Sequence, residues 1–276
     1  MRKKNSNFTM VIFVVVFVIG LSLVLYPSVS NYWNSMHQTK AIASYVENVA
    51  AISDEEYQAL WQAALDYNTH RASAEYKLTD DENDAYNSVL NVDGTGVMGY
   101  IEIPSIAVSL PIYHGTSDGI LSKAIGHLDW SNLPIGGEGT HCVLSGHRGL
   151  PSAKLFTDLD RLVAGDVFLI YVLNETFTYE VDQILIVEPS DLSALNASPG
   201  EDLCTLITCT PYGINTHRLL VRGHRIENNP EHVVHVVSEA VQVDEKLVAI
   251  AIGAPIIAIL FLIAVLRPQK KRKINQ

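Results

Sequence analysis

Cysteine is scarce in this 276-residue chain, and so is positive charge outside its two ends. There are three cysteines, Cys142, Cys204 and Cys209, with no CxxC or CxxH spacing among them, so a zinc site has no sequence support and no metal or cofactor is expected. An odd number also leaves at least one thiol without an internal partner, and such a thiol is examined first as a reactive group. Proline is absent between Pro27 and Pro104, and residues 38–92 contain neither proline nor glycine. Charge is absent from two runs, 8–26 and 247–266.

The two uncharged runs are each long enough for a helix crossing the hydrocarbon core, and neither has the polar stripe of an amphipathic core helix. Arg2, Lys3 and Lys4 precede the first; Arg267, Lys270, Lys271, Arg272 and Lys273 follow the second. Basic flanks stay cytoplasmic, which predicts two transmembrane helices, both termini inside, and an extracellular region between them. No small-x-small cleavage site follows Leu25, so the first run is expected to be an uncleaved signal anchor. Eleven of the 19 Lys and Arg and all 30 Asp and Glu lie between the runs, a formal charge of −19 there. Such a surface repels phosphate polymers and excludes nucleic acid as a partner.

The external part changes character along its length. Residues 38–92 are rich in Ala, Glu, Asp and Tyr and read as helical. Ser53-x-x-Glu56 is a capping box opening a helix to about Asn68, with Tyr57, Leu60, Trp61, Ala64 and Leu65 at helical spacing. From Val97 the pattern is of short strands, expected at Val97–Ile106, Val108–Tyr113, Thr140–Ser145, Asp166–Val172, Thr176–Val187, Leu203–Cys209 and Arg218–Ile226. Short helices are expected at Asp118–Gly126, Ala153–Leu159 and Ser190–Ala194. This predicts a mainly β fold, a closed or nearly closed barrel with helical decoration.

Candidate chemistry starts at Thr205-Leu-Ile-Thr-Cys209-Thr-Pro211, where Pro211 ends a strand and leaves Cys209 at the rim between polar Thr208 and Thr210. Cys142 and Cys204 sit inside apolar strands and read as buried structural cysteines. A thiol nucleophile needs a base, and Leu144-Ser-Gly-His147-Arg148-Gly supplies His147 at another strand end. His224, in a second Gly-His-Arg, competes for that role. Arg218 follows Cys209 across a Pro- and Gly-containing loop, and its fork suits a developing oxyanion or a carboxylate. Thr208, beside the nucleophile, is a candidate substrate-binding residue; an ordinary strand residue is the equal alternative.

Together Ser145-Gly-His147-Arg148, Thr205-Leu-Ile-Thr-Cys209 and Thr216-His-Arg218-Leu-Leu resemble the sortase family of Gram-positive bacteria. The resemblance covers about Gly94 to Ile226, including Met98-Gly-Tyr-Ile-Glu-Ile-Pro104. It implies an eight-stranded sortase β-barrel with His147, Cys209 and Arg218 as catalytic trio, cleaving an LPxTG-like signal between Thr and Gly through a thioacyl intermediate that an amine resolves. The helical stretch before the barrel and the second span resemble the class C, pilus-assembling sortases, in which the amine is a lysine of the next pilin subunit. A housekeeping sortase that attaches proteins to a cell-wall peptide amine, or a membrane-tethered cysteine protease, are the rival enzymes.

The implied organisation is a basic cytoplasmic N-terminus (1–7), a signal anchor (8–26), a helical, lid-like region (27–93), the catalytic barrel (94–228), a linker (229–246), a second span (247–266) and a basic tail (267–276). The Asp-Pro-aromatic lid motif common in class C is absent, since no proline precedes the barrel after Pro27. Tyr76, Asp80 and Asp81 are the remaining lid candidates, and a less occluded site is expected.

Overall fold

The computed structural model describes residues 5–71, 78–229 and 252–259. The chain divides into two units, residues 1–30 with 243–276, and residues 31–242. The first unit contains the apolar part of helix α1 (Asn5–Ala51), long and apolar enough to cross a membrane, with Phe13 70% and Val24 74% exposed. Residues 252–259 are helical. The rest of the expected span 247–266, the basic tail and the linker from 230 lie outside the described residues.

Helix α1 continues past the expected end of the signal anchor at Tyr26, through Pro27 and on to Ala51, its residues from Asn31 belonging to the second unit. Residues 28–51 hold no proline or glycine to stop it. Helix α2 (Asp54–Arg71) starts where expected, with Ser53 Oγ accepting from the Glu56 amide at 3.2 Å. Helix α3 (Asp80–Ser88) opens on a second capping box that sequence reading passed over: Thr79 Oγ1 accepts from Glu82 N at 3.4 Å while Glu82 Oε2 accepts from Thr79 N at 2.7 Å.

These helices pack into the same core as the barrel strands. Tyr45, Ala64, Tyr86 and Leu90 are essentially unexposed within the same apolar cluster as the strands. Tyr45 Oη donates to Met98 O at 3.1 Å and accepts from Leu173 N at 2.7 Å, tying α1 to the barrel at two places. Burial of a large apolar side chain such as Leu90 contributes about 1.5–3 kcal/mol, so the segment cannot swing free without opening the core.

Eight strands close the barrel in the order β1-β2-β3-β4-β7-β8-β6-β5. They are β1 (Val97–Ile103), β2 (Val108–His114), β3 (Ile125–His127), β4 (Thr140–Ser145), β5 (Val167–Val172), β6 (Glu175–Val187), β7 (Asp202–Thr210) and β8 (His217–Ile226). Seven answer to expected strands; β3 falls where a helix was expected to extend to Gly126. The helix, α4 (Asp118–Leu121), stops short. The chain then runs parallel to β2, with Ile125 opposite Ile112. A Cβ on Gly126 would lie 2.1 Å from Gly115 O, so only glycine lets these backbones meet. β1 also ends early, at Ile103, because Pro104–Ile106 forms a 3-10 turn closed by Ala107 in the left-handed region (φ 53°). The third expected helix is reduced to a 3-10 turn at Ser193–Leu195, and the second to turns before Leu159–Arg161.

Two strands matter most for the site. β4 and β7 lie side by side and parallel, Ser145 opposite Ile207, and β8 flanks β7 antiparallel. Residues alternate between faces along a strand. Cys142, Leu144, Cys204, Leu206, Leu219 and Val221 join the interior cluster, while Val143, Ile207 and Leu220 form a separate apolar layer with Leu195 on the outer side.

Candidate active site

Cys209 is two residues beyond Ile207 on β7, and alternation places it on the outer face. Arg218 is its register partner on β8, two residues before Leu220 and on the same face. His147 stands two residues beyond Ser145, itself opposite Ile207. The pairing of the two chains continues past β4: Gly146 N donates to Ile207 O at 3.0 Å and Thr208 Oγ1 donates to Gly146 O at 2.8 Å. His147 therefore stands beside the end of β7, with Cys209 between it and Arg218 on neighbouring strands about 4.8 Å apart. All three side chains are half-buried, neither sealed in the core nor free in solvent.

Each is held locally. Gly146 is a packing glycine rather than a turn glycine, since a Cβ there would lie 2.7 Å from the Phe156 ring and 2.9 Å from Ile125. Phe156 N donates to His147 O at 3.2 Å, fixing the backbone of the histidine itself. The Arg218 guanidinium donates to His217 O at 3.1 Å and Asn215 O at 3.4 Å, which folds it over its own loop. Asn215 adopts φ 62°, a left-handed conformation that asparagine tolerates better than most residues.

Thr208 does not share the face of Cys209. It is 2% exposed, lies one residue out of phase, and gives its hydroxyl proton to Gly146 O. The Thr208 hydroxyl thus makes an internal tie beneath His147. His224 is removed as a rival base by position: it pairs with Leu203, six residues along β7 from Cys209, or about 20 Å at strand rise. Its Gly-His-Arg serves packing, with Arg225 over the Phe177 ring at 4.6 Å and Gly223 against Phe168.

Cys142 and Cys204 face each other on β4 and β7, both free and buried. Burial, and then the neighbouring Cys142 sulfur, pushes the Cys204 thiol well up. His141 points to the opposite face, its ring bonded to Thr205 Oγ1 at 2.7 Å and Asn196 O at 3.0 Å, so it does not join the two sulfurs in one ligand set. Among the described residues no cluster of three or more His, Cys, Asp or Glu could hold a metal ion.

Tyr76 lies outside the described residues, and Asp81 is exposed. Among the described residues, no hydrogen bond or ion pair joins α2 or α3 to His147, Cys209 or Arg218.

Comparison with known proteins gives a consistent picture. A family model described as a sortase domain matches residues 101–226. Among solved structures, sortase C1 of Streptococcus agalactiae is 51% identical with a TM-score of 0.67, over 69% of this chain and 100% of that one. A Streptococcus pneumoniae sortase C, whose structure bears on pilin substrate specificity, is 42% identical with a TM-score of 0.63, over 68% of this chain and 97% of that one. Sortase D of Bacillus subtilis is 33% identical over 131 residues; the match takes in 46% of this chain and 63% of that relative's length.

Proposed function

The chain belongs to the sortase family, and on that premise we propose that it is a membrane-anchored cysteine transpeptidase of the pilus-assembling class. The observation that carries the reading is the register of three neighbouring chain segments, with His147 beside the end of β7 and Arg218 directly opposite Cys209.

Cys209 Sγ attacks the Thr carbonyl of an LPxTG-like signal. The S–C bond forms as the Thr–Gly C–N bond breaks, and His147 delivers the proton that the Gly amine carries away. Arg218 lies on the same face, where its charge offsets that of the tetrahedral oxyanion. In the second half an incoming amine, the lysine Nζ of the next pilin subunit, gives a proton to His147 and attacks the thioacyl carbon. An isopeptide bond forms and Cys209 is released. The likeness to class C structures and the helical layer preceding the barrel support a pilin acceptor over a wall peptide.

The apolar part of α1 serves as the membrane anchor. Its basic flank, with a second span at 247–266 and the basic tail, puts both termini in the cytoplasm and the barrel outside.

The deciding experiment incubates the full-length protein with an LPxTG peptide and a lysine-bearing acceptor peptide, and reads both products and protein by mass spectrometry. A thioacyl adduct on Cys209 and a ligated peptide are expected. Hydrolysis unaffected by the acceptor would instead make the chain a protease.

A further inference from the structure

Arg148, the residue after His147, has a side chain only 8% exposed. Its guanidinium reaches three elements at once. Nη2 pairs with the Asp160 carboxylate in the 3-10 turn Leu159–Arg161. Nη1 donates to Thr210 Oγ1 at 3.2 Å, one residue past Cys209. The Cζ atom stands 5.9 Å from the centroid of the Tyr212 ring, in the loop between β7 and β8. The next residue, Gly149, has φ 77°, and a Cβ on it would lie 3.1 Å from that same ring. The chain thus turns under Tyr212 in a conformation that leaves the ring seated on backbone.

A buried charge with one carboxylate partner is a costly arrangement to keep unless it organises something. Here the groups it joins are the turn that carries His147 and the end of β7 that carries Cys209, with Arg148 and Thr210 62 residues apart in the chain. The planar fork can serve Asp160 and Thr210 in different directions at once, which a single ammonium point charge cannot.

We propose that Arg148 is a positioning residue for the transfer reaction: its buried guanidinium locks the loop after His147 to the loop after Cys209 and so fixes the base against the nucleophile. This rests on the catalytic reading of His147 and Cys209 given above. It assigns Arg148 no contact with substrate.

Full-length protein in detergent, assayed with an LPxTG peptide and a lysine-bearing acceptor, gives the test through Arg148→Ala, Arg148→Lys, Thr210→Val and Tyr212→Leu. Misplacing reacting groups by about 1 Å costs on the order of 10²-fold in rate. Arg148→Ala is therefore expected to lower kcat by about 10²-fold with KM within about twofold of the parent. Arg148→Lys, which keeps the charge but not the fork, should fall between the two, and Thr210→Val should show a smaller fall confined to kcat. A folded Arg148→Ala with unchanged kcat, or with its loss confined to KM, overturns the proposal. Should Arg148→Ala not fold, Thr210→Val and Tyr212→Leu decide, and unchanged kcat in both overturns it. Cys209→Ala run alongside keeps the two readings apart. Transfer surviving that variant removes the catalytic reading itself, whereas a dead Cys209→Ala beside a fully active Arg148→Ala removes only the positioning role.

Discussion

Cys209 and Arg218 are register partners on antiparallel β7 and β8, at the rim where both strands meet the loop 211–216. Their side chains share the outer face, the arrangement that the proposed oxyanion role of Arg218 requires. Arg218→Ala is expected to lower kcat by about 10²–10³-fold, as loss of an oxyanion donor does elsewhere. Arg218→Lys should recover only part of that, since a point charge cannot reproduce the fork. Steady-state peptide ligation by the two variants checks this, and equal rates for Lys and Arg would deny the fork its role.

Thr208 lies beneath His147, its hydroxyl bonded to Gly146 O. Thr208→Val keeps the shape and removes the donor to Gly146 O, leaving that carbonyl unpaired at a cost of about 1–3 kcal/mol. Denaturant midpoints should record the loss, and kcat should drop several-fold while KM stays put. A change confined to KM would return Thr208 to the substrate.

Gly146 admits no side chain against Phe156 and Ile125. Gly146→Ala forces one of them to shift, an overpacking penalty of about 1–3 kcal/mol. Because the displaced strand end carries His147, activity is expected to fall further than the folded fraction does. Circular dichroism melts paired with ligation rates separate the two losses.

Thiol reactivity should sort the three cysteines. Cys209 is half-buried at the rim, whereas Cys142 and Cys204 are sealed inside and burial holds the Cys204 thiol well up. One thiol is expected to react with an aromatic disulfide reagent in the native protein and three after denaturation. Truncating residues 38–92 to uncover the site would be a poor test of occlusion, since it removes Tyr45, Ala64 and Tyr86 from the core.

Two buried histidines set an acid limit. Burial holds both His114 and His141 below the ordinary value of 6.5, so each ring stays neutral in the folded protein while the unfolded chain takes up a proton. Their contribution is complete above pH 6.5 and is lost as pH falls below it, each by up to about 1.4 kcal/mol per pH unit. Urea midpoints should be level near neutrality and decline under mild acid, with a shallower decline in His141→Gln. A profile flat down to the carboxylate range would count against this.

Much of this was legible in the sequence because the signals are local. Pro211 ends β7 behind Cys209, the Ser53 side chain caps the start of α2, and alternation marks seven strands. What was hidden depends on partners far along the chain. β3 is three residues long and exists because Ile125 meets Ile112 in a parallel pair, which no local pattern announces. The face of Thr208 follows from the phase of Leu206 and Ile207 against two clusters, so adjacency to Cys209 in sequence misled about adjacency in space. Arg148 stood inside the quoted motif, but its link to Thr210 spans 62 positions.

The alternation along β7 has an evolutionary corollary. Leu206 and Thr208 answer to the interior, while Ile207 answers to the outer apolar layer and Cys209 to the rim beyond it, one residue apart on a single strand. Neither set is free to drift, since the even-numbered positions fill the interior while the odd-numbered ones pack the outer layer and end on the nucleophile. An insertion or deletion of one residue would exchange the two sets and destroy both at once.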